Sequence, residues 1–333
     1  MIVTLTANPS LDRTVGLNGA LVRGAVLRTT GSTVDPGGKG INVARVLRRA
    51  GLDVVAVLPA DPGDPLLTAL DERAVPYRAV ETSGPARNNI TIAEPDGTTT
   101  KINEPGNTCT GRTLGALHTA LLDSARNASW TVLCGSLPPG IPDSWYADLV
   151  TALRCLGCRI AVDTSEAPLL ALAERFPAAA PDLIKPNSDE LAQLTGADAA
   201  TLEARAAAGD VGPVVDAGRV LIEQGVGAVL ATLGAAGAVL VTSDGAWHAS
   251  TAPATVRSTV GAGDSSLAGY LVAEHAGHGS ADRLRYAVAY GSAAVELPGT
   301  ELPRPESVHP NAVRITDLQD RPEPPTRALP SHP

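Results

Sequence analysis

Short runs of β-branched and other apolar residues recur along the 333-residue chain, separated by longer Ala- and Leu-rich stretches. This alternation restricts the fold more than any other feature. The runs are MIVTLT, DVVAVLPA, WTVLCGS, RIAVDT, DLIKPN, AVLATLG and AVLVTSDG, and between several of them lie helical stretches such as GINVARVLRRAG, WYADLVTALRCLG and SDELAQLTG. A strand that is apolar at successive positions has both faces buried, so helices must cover each side of its sheet. Strands that alternate with helices join in parallel. The expected fold is therefore α/β: a doubly wound, mostly parallel sheet with helices on both faces.

Two segments break this rhythm. Residues 12–34 and 86–104 are rich in Thr, Val, Asn and Gly, and Asp96-Gly97 sits between two alternating runs as a hairpin turn. Two β segments inserted into an α/β body suggest a small sheet acting as a lid. Residues 197–218 read as helix and connection. The segment 314–333 is Pro-rich, lacks apolar periodicity and is expected to be a disordered tail after a domain spanning 1–313.

Composition narrows the function classes. A net charge of −9 argues against a general nucleic-acid or anionic-membrane surface. No apolar run reaches the ~20 residues that cross a bilayer, and the opening MIVTLTANPSLD reads as a strand rather than a signal peptide. Cys109, Cys134, Cys155 and Cys158 form no disulfide framework in a chain of this length, and no second pair completes a metal site around Cys155 and Cys158. His275 and His278 fall at a helix end, where imidazoles complement the dipole. The expected compartment is cytoplasmic.

Chemistry concentrates at two glycine clusters. VGAGDSS places Asp264 behind Gly261, Ala262 and Gly263, and the following SSLAGYLVAEHAG puts Leu267, Tyr270 and Leu271 on one helical face. The turn therefore leads into a helix N-terminus, whose free amides can hold an anion. A carboxylate there can take the proton of a hydroxyl attacking that anion, an arrangement suited to phosphoryl transfer. By itself the turn also fits an Asp stabilised only by the helix dipole. It is neither a Walker A loop nor a dinucleotide fingerprint, whose third glycine would fall at Ser266. The second cluster, DPGGKGINVARVL at 35–47, is a flexible turn before a helix with Asn42 in its first turn. Lys39 could reach a phosphate and Asn42 a sugar hydroxyl; a glycine-rich loop with a solvated lysine has the same local sequence.

Taken together, TANPSLDRTV at the start, DPGGKGINVAR, INEPG at 102–106, GSLPPG at 135–140, KPNSDE at 185–190, TLGAAGA at 232–238 and STVGAGDS at 258–265 resemble the ribokinase-like PfkB sugar kinase family over roughly residues 1–310. The nearest resemblance is to its branch containing 1-phosphofructokinase and tagatose-6-phosphate kinase. The resemblance implies that Asp264 is the base that deprotonates the sugar hydroxyl and that the amides of Gly261, Ala262 and Gly263 form an anion hole. It implies that Asp12 and Asn42 hold sugar hydroxyls, with backbone contacts from Gly37 and Gly38. Lys39, Arg28 and Arg87 would bind the phosphate already on the sugar. Lys185, Asn187 and Glu190 would serve the ATP phosphates and Mg²⁺, Glu190 through water, and Thr232, Gly234 and Gly237 would line the nucleotide pocket. Ala86 departs from the Thr that many relatives carry there.

The implied activity is ATP- and Mg²⁺-dependent phosphorylation of a ketohexose monophosphate. Fructose 1-phosphate comes first; tagatose 6-phosphate and fructose 6-phosphate are alternatives, and a catalytically silent sugar-phosphate sensor is the reading from another class. The resemblance also implies a homodimer paired through the lid.

Overall fold

The computed structural model describes residues 1–252 and 255–318. The chain opens with β1 (Ile2–Thr6), and β2 (Ser10–Leu17) and β3 (Thr29–Gly37) then leave the body and return. Helix α1 (Lys39–Arg49), β4 (Val54–Pro59), α2 (Pro65–Glu72) and β5 (Tyr77–Val80) follow. A second excursion, β6 (Arg87–Ala93) and β7 (Thr99–Asn103), turns at Asp96-Gly97 as expected. The alternation then resumes through α3 (Gly111–Ala125), β8 (Trp130–Cys134), α4 (Trp145–Arg154), β9 (Arg159–Asp163) and α5 (Glu166–Ala173). After β10 (Leu183–Ile184) come three helices, α6 (Ser188–Thr195), α7 (Ala199–Ala207) and α8 (Gly212–Glu223). The last third contains β11 (Ala228–Thr232), β12 (Ala238–Thr242), β13 (Gly245–Ser250), α9 (Ala262–His275), α10 (Ser280–Val295) and β14 (Arg314–Asp317).

The main sheet has ten strands in the order β14-β13-β12-β11-β10-β9-β8-β1-β4-β5. From β11 to β5 every pairing is parallel, whereas β11 to β14 pair antiparallel. Alternate residues of β1 feed different cores. Ile2 packs with Ile41, Leu47, Leu267 and Leu271 on one side, and Val3 and Leu5 pack with Leu117, Leu121, Leu149 and Val150 on the other. That two-sided burial is the reason the strand runs are continuously apolar.

The two excursions form a separate sheet, β3-β2-β6-β7. Its register places Asp12 beside Asp35 and Asn89, and Asn89 beside Asn103. Side chains alternate across a strand, so these residues share one face of the lid.

The C-terminal expectation changes in one respect. Residues 314–317 belong to the main sheet as β14, with Ile315 opposite Ala249 and packed against the core. A four-residue strand carrying one inward apolar side chain leaves no periodic trace in the sequence. The remainder of the expected tail, from 319, lies outside the described residues. Among the described residues no helix is long and apolar enough to cross a membrane.

Candidate active site

Chain order reverses direction at β1. The chain proceeds from β1 to β4 and β5 on one side, and to β8, β9 and β10 on the other. In open parallel sheets the crevice at the carboxyl ends of the strands beside such a reversal is the place where ligands fit. Here the residues that enter it come from the ends of β9 and β10, the N-termini of α1 and α9, and the root of the lid.

Gly261 takes the left-handed conformation, with φ of 74°, and caps α9. The Ser265 amide is the first to reach a helical acceptor, the Gly261 carbonyl at 2.8 Å. The amides of Gly263 and Asp264 precede that bond with no acceptor among the described residues, and the Ala262 amide reaches only the Thr259 carbonyl at 3.5 Å, so the turn presents amides of the kind that can hold an anion. Asp264, in the first turn, is 7% exposed. Its Oδ2 accepts a 2.9 Å hydrogen bond from Asn42 Nδ2, reaching across from α1. Burial, reinforced by the neighbouring Asp163 charge, pushes the Asp264 carboxyl up to about 6, against the opposing pull of Lys39, Asn42 and Lys185.

The Asp163 carboxylate is a member of the site that sequence reasoning missed. It ends β9 at 1% exposure and receives two ammonium groups. Lys39 Nζ donates to Oδ1 at 2.7 Å, and Lys185 Nζ stands 3.0 Å from Oδ2 as an ion partner. Desolvation would raise the Asp163 carboxyl, but the two lysines outweigh it and hold it below the ordinary carboxylate range. Burial likewise pulls on Lys39, yet Asp163, Asp264 and Glu190 hold its ammonium above the ordinary lysine range. The one available trace in the sequence was position: RIAVDT ends an apolar parallel strand with a carboxylate, at the edge where ligands bind.

Lys39 therefore lies with the carboxylates near Asp264 rather than beside Arg87. The structure does not gather the three cations that the resemblance grouped on the sugar's own phosphate. Arg87 starts β6 at the lid root, opposite Ser10, and its Nη1 donates to the Glu104 carbonyl at 2.8 Å. Its buried Nε has no partner among the described residues. Arg28 is exposed and precedes β3, seven residues along from Asp35. At ~3.3 Å per residue that is roughly 20 Å from the lid root.

Asp12 is held at that root. Its Oδ1 accepts from Ser10 Oγ at 2.7 Å and from Asn89 Nδ2 at 2.9 Å. Gly37 pairs with Ser10, two residues before Asp12, and a Cβ there would sit 2.3 Å from the carboxyl carbon of the Asp12 side chain leaning over it. Close approach of the two strands requires glycine. Gly38, next along, N-caps α1 ahead of Lys39.

On the other flank, Asn187 N-caps α6 through a capping box: its Oδ1 accepts the Glu190 amide at 2.8 Å, and Glu190 Oε2 accepts the Asn187 amide at 2.9 Å. Glu190 is thereby oriented, with no hydrogen bond to its second oxygen among the described residues. Thr232 lies beside this cap, its amide donating to the Pro186 carbonyl at 2.9 Å. Gly234 is exposed in the turn after β11. Gly237 closes that turn with φ of 88°, where a Cβ would collide with the Ala249 carbonyl at 1.9 Å. The site thus brings together Asp264, Asn42, Lys39 and Lys185, with the Gly261–Gly263 turn, Asp12 and Glu190 around them.

Residues 7–307 match the family described as pfkB family carbohydrate kinase. A 1-phosphofructokinase from Rhodobacter capsulatus is 35% identical, covering 95% of this chain and 96% of that protein. Among solved structures, phosphofructokinase-2 from Escherichia coli in complex with substrates and products superposes with a TM-score of 0.83 at 29% identity, covering 92% of this chain and 96% of that one. A tetrameric inhibited form of the same enzyme superposes at 0.79, with 29% identity over 90% of this chain and 95% of that one.

Proposed function

The chain belongs to the pfkB family of carbohydrate kinases, and from that premise we propose that it transfers the terminal phosphoryl group of ATP to fructose 1-phosphate, giving fructose 1,6-bisphosphate and ADP. As an ATP-dependent sugar-phosphate kinase it must bring a hydroxyl, a base and a polyanion together. The observation that carries the reading is the buried Asp264 carboxylate at an open helix N-terminus, facing the ammonium groups of Lys39 and Lys185.

Asp264 takes the proton of the sugar 6-hydroxyl as its oxygen forms a bond to the γ-phosphorus. The bond from that phosphorus to the β,γ-bridging oxygen breaks, and the electron pair leaves with ADP. The amides of Gly261, Ala262 and Gly263 receive the charge that develops on the transferring group. Lys39 and Lys185 are set against the same charge, because both share a carboxylate within the site. This reassigns Lys39 from the sugar's own phosphate to the group in transfer. Arg87, with an uncommitted buried Nε at the lid root, is left as the described residue best placed for the resident phosphate. Asp12 and Asn42 hold sugar hydroxyls.

Asn187, Thr232, Gly234 and Gly237 border the nucleotide. Glu190 offers one carboxylate oxygen beyond its capping bond. A single hard oxygen donor fits Mg²⁺, which keeps several waters and is otherwise held by substrate phosphates. When bound, that ion would neutralise phosphate charge.

Residues 1–317, with β14 and the lid, act as one kinase unit, and its soluble phosphorylated substrates support a cytoplasmic enzyme. Val34 and Ile102, 38% and 53% exposed, lie on the lid face opposite Asp12 and Asn89. That apolar face supports a homodimer paired through its lids, which light scattering would test.

The deciding experiment supplies Mg-ATP with fructose 1-phosphate, fructose 6-phosphate, tagatose 6-phosphate or fructose and measures ADP. Highest kcat/KM for fructose 1-phosphate is expected. Preference for tagatose 6-phosphate or fructose 6-phosphate would replace the acceptor, and absence of ADP with every sugar would favour a sensor.

A further inference from the structure

Arg45 is a buried cation that the reaction does not use directly. It lies on α1, three residues after Asn42, and is 3% exposed. Its Nη1 donates to Asn42 Oδ1 at 3.4 Å and to the Pro36 carbonyl at 3.1 Å. Its Nη2 donates to Asp35 Oδ1 at 3.0 Å. Asp35 is fixed in turn: Arg73 Nη2 donates to Oδ1 at 2.9 Å, and Thr300 Oγ donates to Oδ2 at 3.0 Å. A hydrogen-bonded chain therefore runs from the base of the lid strand β3, through Asp35, Arg45 and Asn42, to Asp264.

Stability alone does not account for this arrangement. A buried ion pair returns little more than its desolvation cost, and the Nε of Arg45 is buried with no partner among the described residues. What the guanidinium supplies is orientation. A carboxamide has a donor end and an acceptor end that are nearly equal in shape. Asn42 stands between a group that can only donate and one that, when ionised, can only accept. One orientation satisfies both, with Oδ1 toward Arg45 and Nδ2 toward Asp264.

We propose that Arg45 is a positioning residue for phosphoryl transfer, fixing the Asn42 carboxamide so that its NH₂ stays on the Asp264 carboxylate, with Asp35 holding Arg45 in register. The inference rests on Asp264 acting as the base. Asp264 faces Lys39 and Asn42 from α1, Asp163 from β9 and Lys185 from the end of β10. Arg45 faces Asp35, Arg49, Arg73 and Asp12. Without the guanidinium fork, the Asn42 amide is free to turn its oxygen to Asp264. Losing a donor to the ionised form raises that carboxyl, so the acid limb of the rate profile moves to higher pH.

The test compares wild type with Arg45→Met, Arg45→Lys and Asp35→Asn. Lysine keeps the charge but loses the planar fork. Arg45→Met and Arg45→Lys should both lower kcat about 10-fold and move its acid limb up by roughly half a unit to one unit, with KM for ATP changed less than twofold. Asp35→Asn, which keeps the shape of that side chain, should act in the same direction and carries the test if Arg45→Met does not fold. A wild-type profile in Arg45→Lys overturns the proposal, as does loss of stability with kcat and its pH profile unmoved. The side-chain NH₂ resonances of Asn42 give a readout independent of activity: distinct and slowly exchanging in wild type, broadened or shifted in Arg45→Lys. If no sugar is phosphorylated, or Asp264→Asn keeps full turnover, the kinase reading fails. The Asn42 resonances then still decide whether Arg45 orients the amide, and an unchanged pair overturns that.

Discussion

Lys39 Nζ donates to Asp163 Oδ1 at 2.7 Å, joining the first turn of α1 to the end of β9 across 124 residues of chain. The bond sets the Lys39 ammonium near the buried Asp264 carboxylate. Asp163 thereby decides where both lysines of the site stand, because Lys185 shares its second oxygen.

Asp163→Asn should leave two ammonium groups without their nearest counter-charge, with Asp264 remaining close by. Breaking a buried pair costs about 3–5 kcal/mol. The lower end is expected here, since the Lys39 side chain is 34% exposed and solvent takes up part of its charge. Denaturant titration should show the loss, and KM for ATP should rise. Unchanged stability would mean that water already screens the pair.

Asp264→Asn should reduce turnover by ~10²–10⁴ while sparing ATP binding, the usual weight of a positioned base. The proposed base acts ionised, and the Asp264 carboxyl is pushed up to about 6 by burial and by Asp163. The rate should therefore fall as pH drops through that value and level off above it. A flat profile between pH 5 and 7 would remove Asp264 from the proton transfer.

The same substitution should stabilise the fold. A carboxyl whose pKa is raised by folding, from the ordinary 3.8 to about 6, opposes folding once the pH exceeds both values. Its cost is absent below about pH 4, accrues between pH 4 and 6, and is fully present above 6. Asp264→Asn should exceed wild type at pH 8 by on the order of 2 kcal/mol, with the gap closing at pH 4. Equal stability at both pH values would contradict the assigned shift.

Gly37→Ala inserts a methyl group 2.3 Å from the Asp12 carboxyl carbon. Either Asp12 or the strand must move, and the hydrogen bonds from Ser10 and Asn89 cannot both survive. KM for the sugar phosphate should rise at least ~10-fold, with KM for ATP unchanged. Equal effects on both substrates would point to general misfolding instead.

The capping bond of Glu190 and the Mg²⁺ role proposed for it are separated by two substitutions. Gln retains the capping box and Ala does not. Glu190→Gln should keep the thermal midpoint and raise the Mg²⁺ concentration needed for half-maximal rate. Glu190→Ala should do the same and also lose about 1 kcal/mol through the cap. An unchanged Mg²⁺ titration in both would leave Glu190 with the cap alone.

The parts legible in the sequence were those with local causes. The apolar runs of β1, β4, β8 and β9 declared strands buried on both faces, the Asp96-Gly97 turn declared the β6–β7 hairpin, and the glycines before Asp264 declared the start of α9. Each depends on dihedral preference or periodicity over a few residues, and neighbours along the chain carry both. Strand order, by contrast, came from tertiary structure: β1 lies between β8 and β4, and the sheet turns antiparallel beyond β11. The site was decided at the same level. Asn42 and Asp264 meet across 222 residues, and Asp163 ends its strand looking like any other terminal carboxylate until two lysines close on it. Arg28 and Lys39 looked equivalent as cations flanking the same strand, yet one stands exposed at the far end of the lid and the other faces Asp163. Local sequence specifies elements because backbone preferences act within a turn or two; which side chains face one another depends on where the chain crosses back, and that is set by packing the whole sheet.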